Sequence, residues 1–230
     1  MTGRTGELDD LIVVGCRILD RLGIFDSSGH LTYRLPGTNS FAISARKAPG
    51  LASADDLMVI DEEGTVLDGA GTVPLEWAIH ARIYRARPDV RSIVHSHSPM
   101  SRAFSISTQQ ILPVFGIATP WLHAPVPVLD ETGPISSSEA GDRLVDVIGD
   151  GPAALLHAHG SVIVGPSVEA TVVRAVTLEQ TAESLLRAIS LGPVRSLDAM
   201  QVEAWRTNTP AGHAKAWDYF IAMMEREETQ

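Results

Sequence analysis

The sequence has little cysteine, few positive charges and no long apolar run, and each shortage excludes a class of protein. Its single cysteine, Cys16, excludes an internal disulfide framework and is compatible with a reducing cytosol. Only 18 lysines and arginines stand against 28 acidic residues. The formal net charge of −10 disfavours a nucleic-acid partner, because such a surface repels phosphate backbones.

No apolar run approaches the ~20 residues of a membrane span. The first apolar run, residues 11–16, is stopped by Arg17. Residues 1–10 carry more acid than base, unlike the basic start of a secretory signal. These features predict a soluble, cytoplasmic protein without a membrane partner.

The composition is that of a folded globular chain. Of its 230 residues, 44% are hydrophobic and 20% are charged, a balance that permits a substantial buried core. Helical and strand-like patterns alternate, without an internal repeat or a linker rich in proline, glycine or serine. We therefore predict a single α/β domain over residues 1–230, with residues 197–230 as a C-terminal helical tail.

Two hydrophobic periods predict the elements of this domain. Spacings of three and four residues predict helices over residues 7–22, 136–148 and 168–189, one from Pro74 to Pro88, and one from Ser98. Short apolar runs bounded by proline, glycine or acidic residues predict strands at residues 31–34, 41–44, 57–60, 65–67, 90–95, 114–117, 126–129, 153–157 and 161–164.

Two histidines mark the end of one predicted strand, in the sequence Val94-His95-Ser96-His97. Alternate residues of a strand point to the same side, so the imidazoles of His95 and His97 share one face, where they could bind a divalent metal. Two solvent-facing histidines at a strand end would give the same pattern, so the pair by itself is weak support for a metal site.

Further candidate ligands lie on both sides of that strand in the sequence. His157 and His159 lie at the end of the predicted strand 153–157, and Glu76 lies at the start of the helix that begins at Pro74. Three imidazoles and one carboxylate suit a transition-metal site with a position open for substrate. Taken alone, Glu76 is equally explained as a solvated first-turn acid that interacts favourably with the helix dipole.

Together these residues resemble the signature of the class II aldolase/adducin family over roughly residues 11–186: a Pro-x-Glu-x₃-His helix, a Val-His-x-His strand and a His-Gly turn. The resemblance implies a three-layer α/β/α domain with a central mixed, largely antiparallel sheet. It also implies that His95, His97 and His159 bind one divalent metal per subunit. Glu76 would be the acid/base residue, which can also ligate the metal. The metal's identity stays open between zinc, manganese, iron and cobalt.

The resemblance also bears on the other histidines and on assembly. The family's ligand directly precedes the glycine, so His157 falls off the metal position, and we expect a structural or orienting hydrogen bond for His80. Members of the family form cyclic tetramers with active sites between subunits, which predicts a homotetramer. The C-terminal helix places Trp217, Phe220 and Ile221 on one apolar face, which fits a subunit interface or equally a contact within the same subunit.

The loops that bind phosphate in sugar-phosphate aldolases are changed in this chain. His30 replaces the asparagine of a Gly-Asn turn, and the loop glycine and paired serines are missing. In their place His30 and Arg46, aided by Ser44, offer cationic and hydroxyl donors, and arginine pairs bidentately with carboxylates. We therefore predict a small-molecule carboxylate substrate bound by Ser44 and Arg46, with His30 as a catalytic residue. The resemblance to the aldolases implies that Glu76 is also catalytic and that Tyr219 contacts the substrate from an adjacent subunit. The alternative for the Arg46 loop is an ordinary solvated loop.

The same blocks resemble one branch of the family, the metal-dependent decarboxylases of hydroxylated aromatic and pyridine carboxylates. This resemblance predicts a carbon–carbon lyase that decarboxylates a hydroxylated aromatic or heteroaromatic carboxylate, through a metal-bound phenolate or enolate. One alternative is an aldolase that acts on an unphosphorylated hydroxy-acid or aldehyde. Another is a non-haem iron oxygenase on the same fold. A third, an inactive assembly domain, is disfavoured because the three histidines are all present.

Overall fold

One eight-stranded sheet organises the computed structural model, which describes residues 6–208 and 212–228. In chain order the strands are β1 His30–Arg34, β2 Ser40–Ser44, β3 Leu57–Asp61, β4 Val66–Asp68, β5 Ser92–Ser96, β6 Val128–Leu129, β7 Ala153–Leu156 and β8 Gly160–Gly165. Their spatial order is β4-β3-β2-β1-β5-β8-β7-β6. Neighbouring strands are antiparallel except β6 and β7, so the predicted mixed, largely antiparallel sheet is confirmed.

Helices cover both faces of this sheet. They are α1 Gly6–Arg21, α2 Trp77–Ala86, α3 Pro99–Ser105, α4 Ser138–Ile148, α5 Val168–Leu191, α6 Ala199–Asn208 and α7 His213–Glu228. Side chains alternate along each strand and so supply two cores. In β5, Val94 packs in the core shared with α1, α3, α5 and α7, whereas Ile93 packs in the core shared with α2 and α4. This confirms the predicted three-layer α/β/α architecture.

Local sequence signals fix several helix ends. Ser137 accepts a 3.3 Å hydrogen bond from the backbone N–H of Ala140, which caps α4. Ser167 accepts the equivalent bond from Ala170 at the start of α5. Gly23, with a φ of 69°, follows the end of α1 in the left-handed conformation that glycine adopts readily.

The predicted strand at residues 114–117 is wrong. A 3-10 turn, Gly116–Ala118, occupies part of this segment, and its hydrogen bonds are local, from Ala118 N to Phe115 O at 2.9 Å and from Thr119 N to Gly116 O at 3.1 Å. An apolar run becomes a strand only where a neighbouring strand accepts its backbone bonds, and the sheet ends at β6.

The C-terminal helix α7 packs on its own subunit. Phe220 is 8% exposed and belongs to the core with α1 and α5, and Trp217 and Ile221 pack against the same core. The apolar face of α7 therefore gives no support for a subunit interface. Residues 209–211 and 229–230 of the predicted tail lie outside the described residues.

None of the helices in the described ranges combines the length and the hydropathy that a membrane span requires.

Candidate active site

The candidate ligands meet where β5 and β8 lie side by side. Antiparallel pairing aligns His95 with Val162, so the end of β5 lies next to the start of β8. His97 directly follows β5, and His159 directly precedes β8. Although 62 positions separate these two histidines, their Nε2 atoms are 3.0 Å apart. The strand pairing therefore creates the site.

The turn that carries His159 depends on two small residues. Ala158 has a φ of 56°, in the left-handed region that residues other than glycine seldom occupy. Gly160 lies so close to β5 that a Cβ atom would overlap the carbonyl group of Ser96. Because the strands approach this closely, the rings of His159 and His97 lie in contact, with centroids 4.9 Å apart.

Glu76 joins the histidines from the start of α2. Its Oε2 lies 3.2 Å from His95 Nε2 and 3.4 Å from His159 Nε2. One ligand atom from each of Glu76, His95, His97 and His159 lies within 4.8 Å of all the others. Tetrahedral ligands at zinc distances lie about 3.4 Å from one another, so these side chains need only small rotations to hold one ion.

The hydrogen bonding of His95 shows that a cation fits between these groups. His95 Nδ1 lies 3.1 Å from the carbonyl oxygen of Ser161, which can only accept, so Nδ1 carries the proton. In neutral His95 the buried Nε2 then presents a lone pair toward the Glu76 carboxylate, and it has no hydrogen-bond partner among the described residues. Two lone-pair-bearing atoms at this distance require a cation or a proton between them.

A backbone bond holds Glu76 in place while one oxygen stays available. The N–H of Ile135 donates a 2.9 Å hydrogen bond to Glu76 Oε1, which leaves Oε2 facing the histidines. Burial raises the pKa of the Glu76 carboxyl, but hydrogen bonds and positive charge from protonated His159 and His95 outweigh burial and hold that pKa well below its usual range, so positive charge at these nitrogens favours the carboxylate. Glu76 is therefore an anion that can bind a metal.

Burial keeps two nearby imidazoles neutral. Desolvation, with the proximity of His95 and His159, lowers the pKa of His97 to about 4. Desolvation and the proximity of His95 likewise lower the pKa of His30 to about 3. At neutral pH both rings therefore keep a lone pair on one nitrogen, which metal binding requires of a histidine.

A cavity of about 270 Å³ opens beside this cluster and is lined by residues 27–30, 45–48 and 74–76 together with His97. His30 reaches it from β1, where it pairs directly with His95 of β5. The strand register thus places His30 at the wall of the cavity. Glu76 is common to the cavity and the cluster, so the two form one site.

Of the two cations that line the cavity, one is already paired. Lys47 Nζ donates a 2.8 Å hydrogen bond to Asp56, and this bond is the largest of the effects that lower the pKa of Asp56 to about 2. Arg46 has no carboxylate partner within residues 6–208 and 212–228. Arg46 is therefore the cation that is free to bind an anionic ligand.

Comparison with known proteins identifies the family of this site. Residues 10–186 match the family described as Class II Aldolase and Adducin N-terminal domain. The chain belongs to this family. It is 29% identical over 197 residues to a 3,4-dihydroxyphthalate decarboxylase of Arthrobacter keyseri, with 80% of this chain and 79% of the relative covered.

Relatives of this class II aldolase-family chain have other activities. It is 28% identical over 172 residues to a 4-hydroxy-3-prenylphenylpyruvate oxygenase/4-hydroxy-3-prenylbenzoate synthase of Streptomyces roseochromogenus subsp. oscitans, covering 74% of this chain and 62% of the relative. The structure of an L-fuculose 1-phosphate aldolase from Glaciozyma antarctica PI12 superposes with a TM-score of 0.84 at 25% identity, covering 97% and 90% of the two chains. Class II aldolases bind a divalent metal. The cluster formed by Glu76, His95, His97 and His159, called the Glu76 cluster below, could hold one here.

The structure does not bring all the predicted residues of this family member to the cavity. Ser44 is buried, but strand alternation places it on the side of Ala42, toward α1, and it does not line the cavity. Tyr219 is 63% exposed on α7 and also lies outside the cavity lining, so any contact with substrate requires a second subunit. His157 lies outside the metal-capable group, with its Nδ1 2.8 Å from Asp130. The substrate contacts of Ser44 and Tyr219 stay predictions.

Sequence reasoning missed Glu179, which supports the position of His97. From α5, its carboxylate accepts hydrogen bonds from Ser98 Oγ at 2.8 Å, Met100 N at 2.7 Å and both Ser101 N and Oγ. These bonds hold the segment that directly follows His97. An acid is favoured near a helix N-terminus such as that of α3, but no local pattern links α3 to a residue about eighty positions later.

Proposed function

We propose that this protein is a metal-dependent lyase that decarboxylates a hydroxylated aromatic or heteroaromatic carboxylate. The observation that carries the proposal is the composition of one cavity, in which the free guanidinium of Arg46 and the imidazole of His30 accompany the Glu76 cluster. The relative from Arthrobacter keyseri, a 3,4-dihydroxyphthalate decarboxylase, supports this class of substrate.

In this proposal His95, His97, His159 and Glu76 hold one divalent ion per subunit: zinc, manganese, iron or cobalt. When bound, such an ion supplies a Lewis acid that stabilises negative charge on an oxygen of the substrate. The identity of the metal does not follow from three imidazoles and a carboxylate, because these ligands accept all four ions.

Arg46 orients the substrate in this proposal. Its planar guanidinium can donate two parallel hydrogen bonds to a carboxylate, which fixes both the position and the plane of that group. A volume of about 270 Å³ lies just below the roughly 300–1,000 Å³ of cavities that hold drug-sized ligands. The cavity therefore suits a single-ring acid.

Decarboxylation consumes one proton, which the hydroxyl group of the substrate supplies. Glu76, an anion at neutral pH, or neutral His30 takes this proton and delivers it to the ring. A proton is added to the ring carbon that bears the carboxylate, and the bond between that carbon and the carboxylate then breaks. CO₂ leaves, and the electron pair of the broken bond returns to the ring. His30 and Glu76 both line the cavity, so either can exchange a proton with a bound ring.

We further propose a homotetramer with its active sites between subunits. Two observations fit a shared site: the cavity is open, and Leu75 at its wall is 56% exposed. Tyr219, on the surface of α7, is the residue proposed to complete the site of an adjacent subunit. The proposal for assembly rests on the family, since α7 packs its apolar face on its own subunit.

Two other reactions have support from specific relatives. The superposition with an L-fuculose 1-phosphate aldolase favours aldol cleavage, here of an unphosphorylated hydroxy-acid or aldehyde. The relative whose name includes an oxygenase favours a reaction with O₂. Among the four candidate metals, iron is the one that we assign to such a reaction. The loss of the family's phosphate-binding asparagine, where His30 stands, is the reason that we rank decarboxylation above cleavage of a sugar phosphate.

A panel of substrates distinguishes these reactions. Protein loaded with Mn²⁺, Co²⁺ or Zn²⁺ is incubated with hydroxybenzoates, hydroxyphthalates and hydroxypyridine carboxylates, and CO₂ release is measured. We expect release from at least one acid that carries a hydroxyl group next to a carboxylate. A carbonyl product from lactaldehyde-type aldols with no CO₂ from any acid identifies an aldolase, and O₂ uptake that depends on Fe²⁺ identifies an oxygenase.

A further inference from the structure

A chain of buried polar side chains extends from the cavity into the core between the sheet and α2. Thr32 on β1 lies at its centre, with Oγ1 2.8 Å from the hydroxyl of Tyr84 and 2.9 Å from Nδ1 of His80. The ring of His80 in turn meets the ring of His30 edge-on, with centroids 5.6 Å apart. Thr32, His80 and Tyr84 are each at most 1% exposed, so solvent does not supply alternative partners.

Two nitrogens of this chain have no hydrogen-bond partner among the described residues. They are Nε2 of His80 and Nδ1 of His30, both fully buried. They belong to the two rings that meet edge to face, and rotation of either ring about its side-chain bonds can turn these nitrogens toward each other. A buried nitrogen without a hydrogen bond lowers the stability of the fold. A hydrogen bond between Nε2 of His80 and Nδ1 of His30 removes this cost for both atoms.

The direction of the hydrogen bonds follows from the chemistry of the donors. Tyr84 has one proton, and its acceptor at 2.8 Å is Thr32, whereas the carbonyl of Arg91 lies 3.5 Å away. A phenol is a stronger acid than an aliphatic alcohol, so Tyr84 donates and Thr32 accepts. The single proton of Thr32 is then donated to Nδ1 of His80 at 2.9 Å, because its other acceptor, the carbonyl oxygen of Ile93, lies 3.5 Å away.

These directions determine the protonation of both imidazoles. Neutral His80 accepts at Nδ1 and therefore carries its proton on Nε2, which makes Nε2 the donor toward His30. Neutral His30 then accepts at Nδ1 and carries its proton on Nε2. His30 lines the cavity. Its Nδ1 is buried, whereas its Nε2 is not fully buried and has no hydrogen-bond partner among the described residues. The N–H at Nε2 is therefore available to a ligand.

We propose that His80 is a positioning residue which, with Thr32 and Tyr84, holds His30 in the Nε2–H tautomer and so presents an N–H donor to the substrate. The donor can bond to a carboxylate or hydroxyl oxygen beside Arg46. This inference deepens the proposed function. Only the hydrogen bond from His30 to the substrate rests on that function. The tautomer itself is a property of the protein and can be measured without substrate.

Solid-state ¹⁵N NMR of histidine-labelled, full-length protein loaded with Zn²⁺ tests the proposal. Protonated and unprotonated imidazole nitrogens have well-separated shifts, and the His30 signals are those lost in His30→Gln. We expect His30 with a protonated Nε2 and an unprotonated Nδ1. A His30 that is protonated on Nδ1 in the unmodified protein overturns the proposal without any variant.

Two variants of His80 separate the hydrogen bond from packing. His80→Gln keeps an amide N–H where Nε2 lies, and we expect it to preserve the His30 tautomer. His80→Leu fills a similar volume without a donor, and we expect mixed His30 tautomers with unchanged zinc content. An unchanged His30 tautomer in His80→Leu overturns the proposal.

Turnover gives an independent readout where the panel has supplied a substrate. We expect His80→Leu to lower kcat about 10-fold, the scale of one weakened hydrogen bond to the substrate, with His80→Gln close to the unmodified protein. Should no acid of the panel release CO₂, the proposed function fails, while the NMR result still decides the role of His80.

Discussion

Gly160 lies against the carbonyl group of Ser96 so closely that a methyl group has no room between β8 and β5. This contact joins the two strands that carry His97 and His159, and it fixes the distance between their imidazoles. We therefore expect Gly160→Ala to force the strands apart at the site. The variant should bind metal roughly 10-fold more weakly or worse, the scale on which misplaced metal ligands lose affinity.

Metal content and thermal stability of Gly160→Ala check this expectation. Gly6→Ala is the matched control, because Gly6 lies in α1 and a methyl group added there would meet no atom within 4 Å. A Gly160→Ala protein with full metal occupancy would show that the close approach is not needed.

The Glu76 cluster predicts that activity depends on a metal, and that His159 binds this metal whereas His157 does not. Chelation should abolish activity, and His159→Ala should lose the metal, because its Nε2 lies among the ligand atoms. His157→Ala should bind metal almost normally, because His157 lies against Asp130 instead. Elemental analysis of both purified variants decides the matter, and equal metal loss in the two would refute the choice.

Glu76→Gln separates metal binding from proton transfer. The glutamine keeps an oxygen that can serve either the Ile135 N–H or the metal, but it cannot carry a proton. We expect retained metal and a kcat about 100-fold lower, the usual scale for a lost general acid or base. Normal turnover would remove Glu76 from the chemistry and leave His30 as the proton-transfer residue.

Arg46 and Lys47 form a matched pair for the recognition of the carboxylate. Arg46→Gln removes the unpaired cation of the cavity, and a lost charged hydrogen bond of about 1.5–3 kcal/mol corresponds to a rise in KM of roughly 10–100-fold. Lys47→Gln breaks the exposed pair with Asp56 and should change KM little. Steady-state kinetics on a substrate from the panel provides the comparison, and similar effects of both variants would contradict the role of Arg46.

Assembly and the role of Tyr219 need a test that leaves α7 in place. Truncation before Thr207 would expose the core that Phe220 covers, so a point substitution is cleaner. We expect light scattering to give a mass four times the 24.6 kDa of one chain. Tyr219→Phe should keep metal and assembly while turnover falls, and unchanged turnover would exclude the hydroxyl from the site.

Much of the fold follows from local patterns along the chain. The short apolar runs of β2 and β5, the serine at the start of α4 and the glycine after α1 each act within a few residues. Sequence motifs are also local. The motifs in residues 74–97 and 157–160 resemble those of a known family, and this resemblance names the candidate ligands Glu76, His95, His97 and His159.

Only the tertiary structure decides how these elements meet. The apolar run at residues 114–117 has no strand beside it and folds locally, and the apolar face of α7 packs on α1 and α5 of its own subunit. Glu179 supports the segment after His97 across some eighty residues, and strand alternation turns Ser44 away from the cavity. The physical reason is that side-chain periodicity is a property of one segment. Contacts between segments depend on strand register and helix placement, which the whole core determines together.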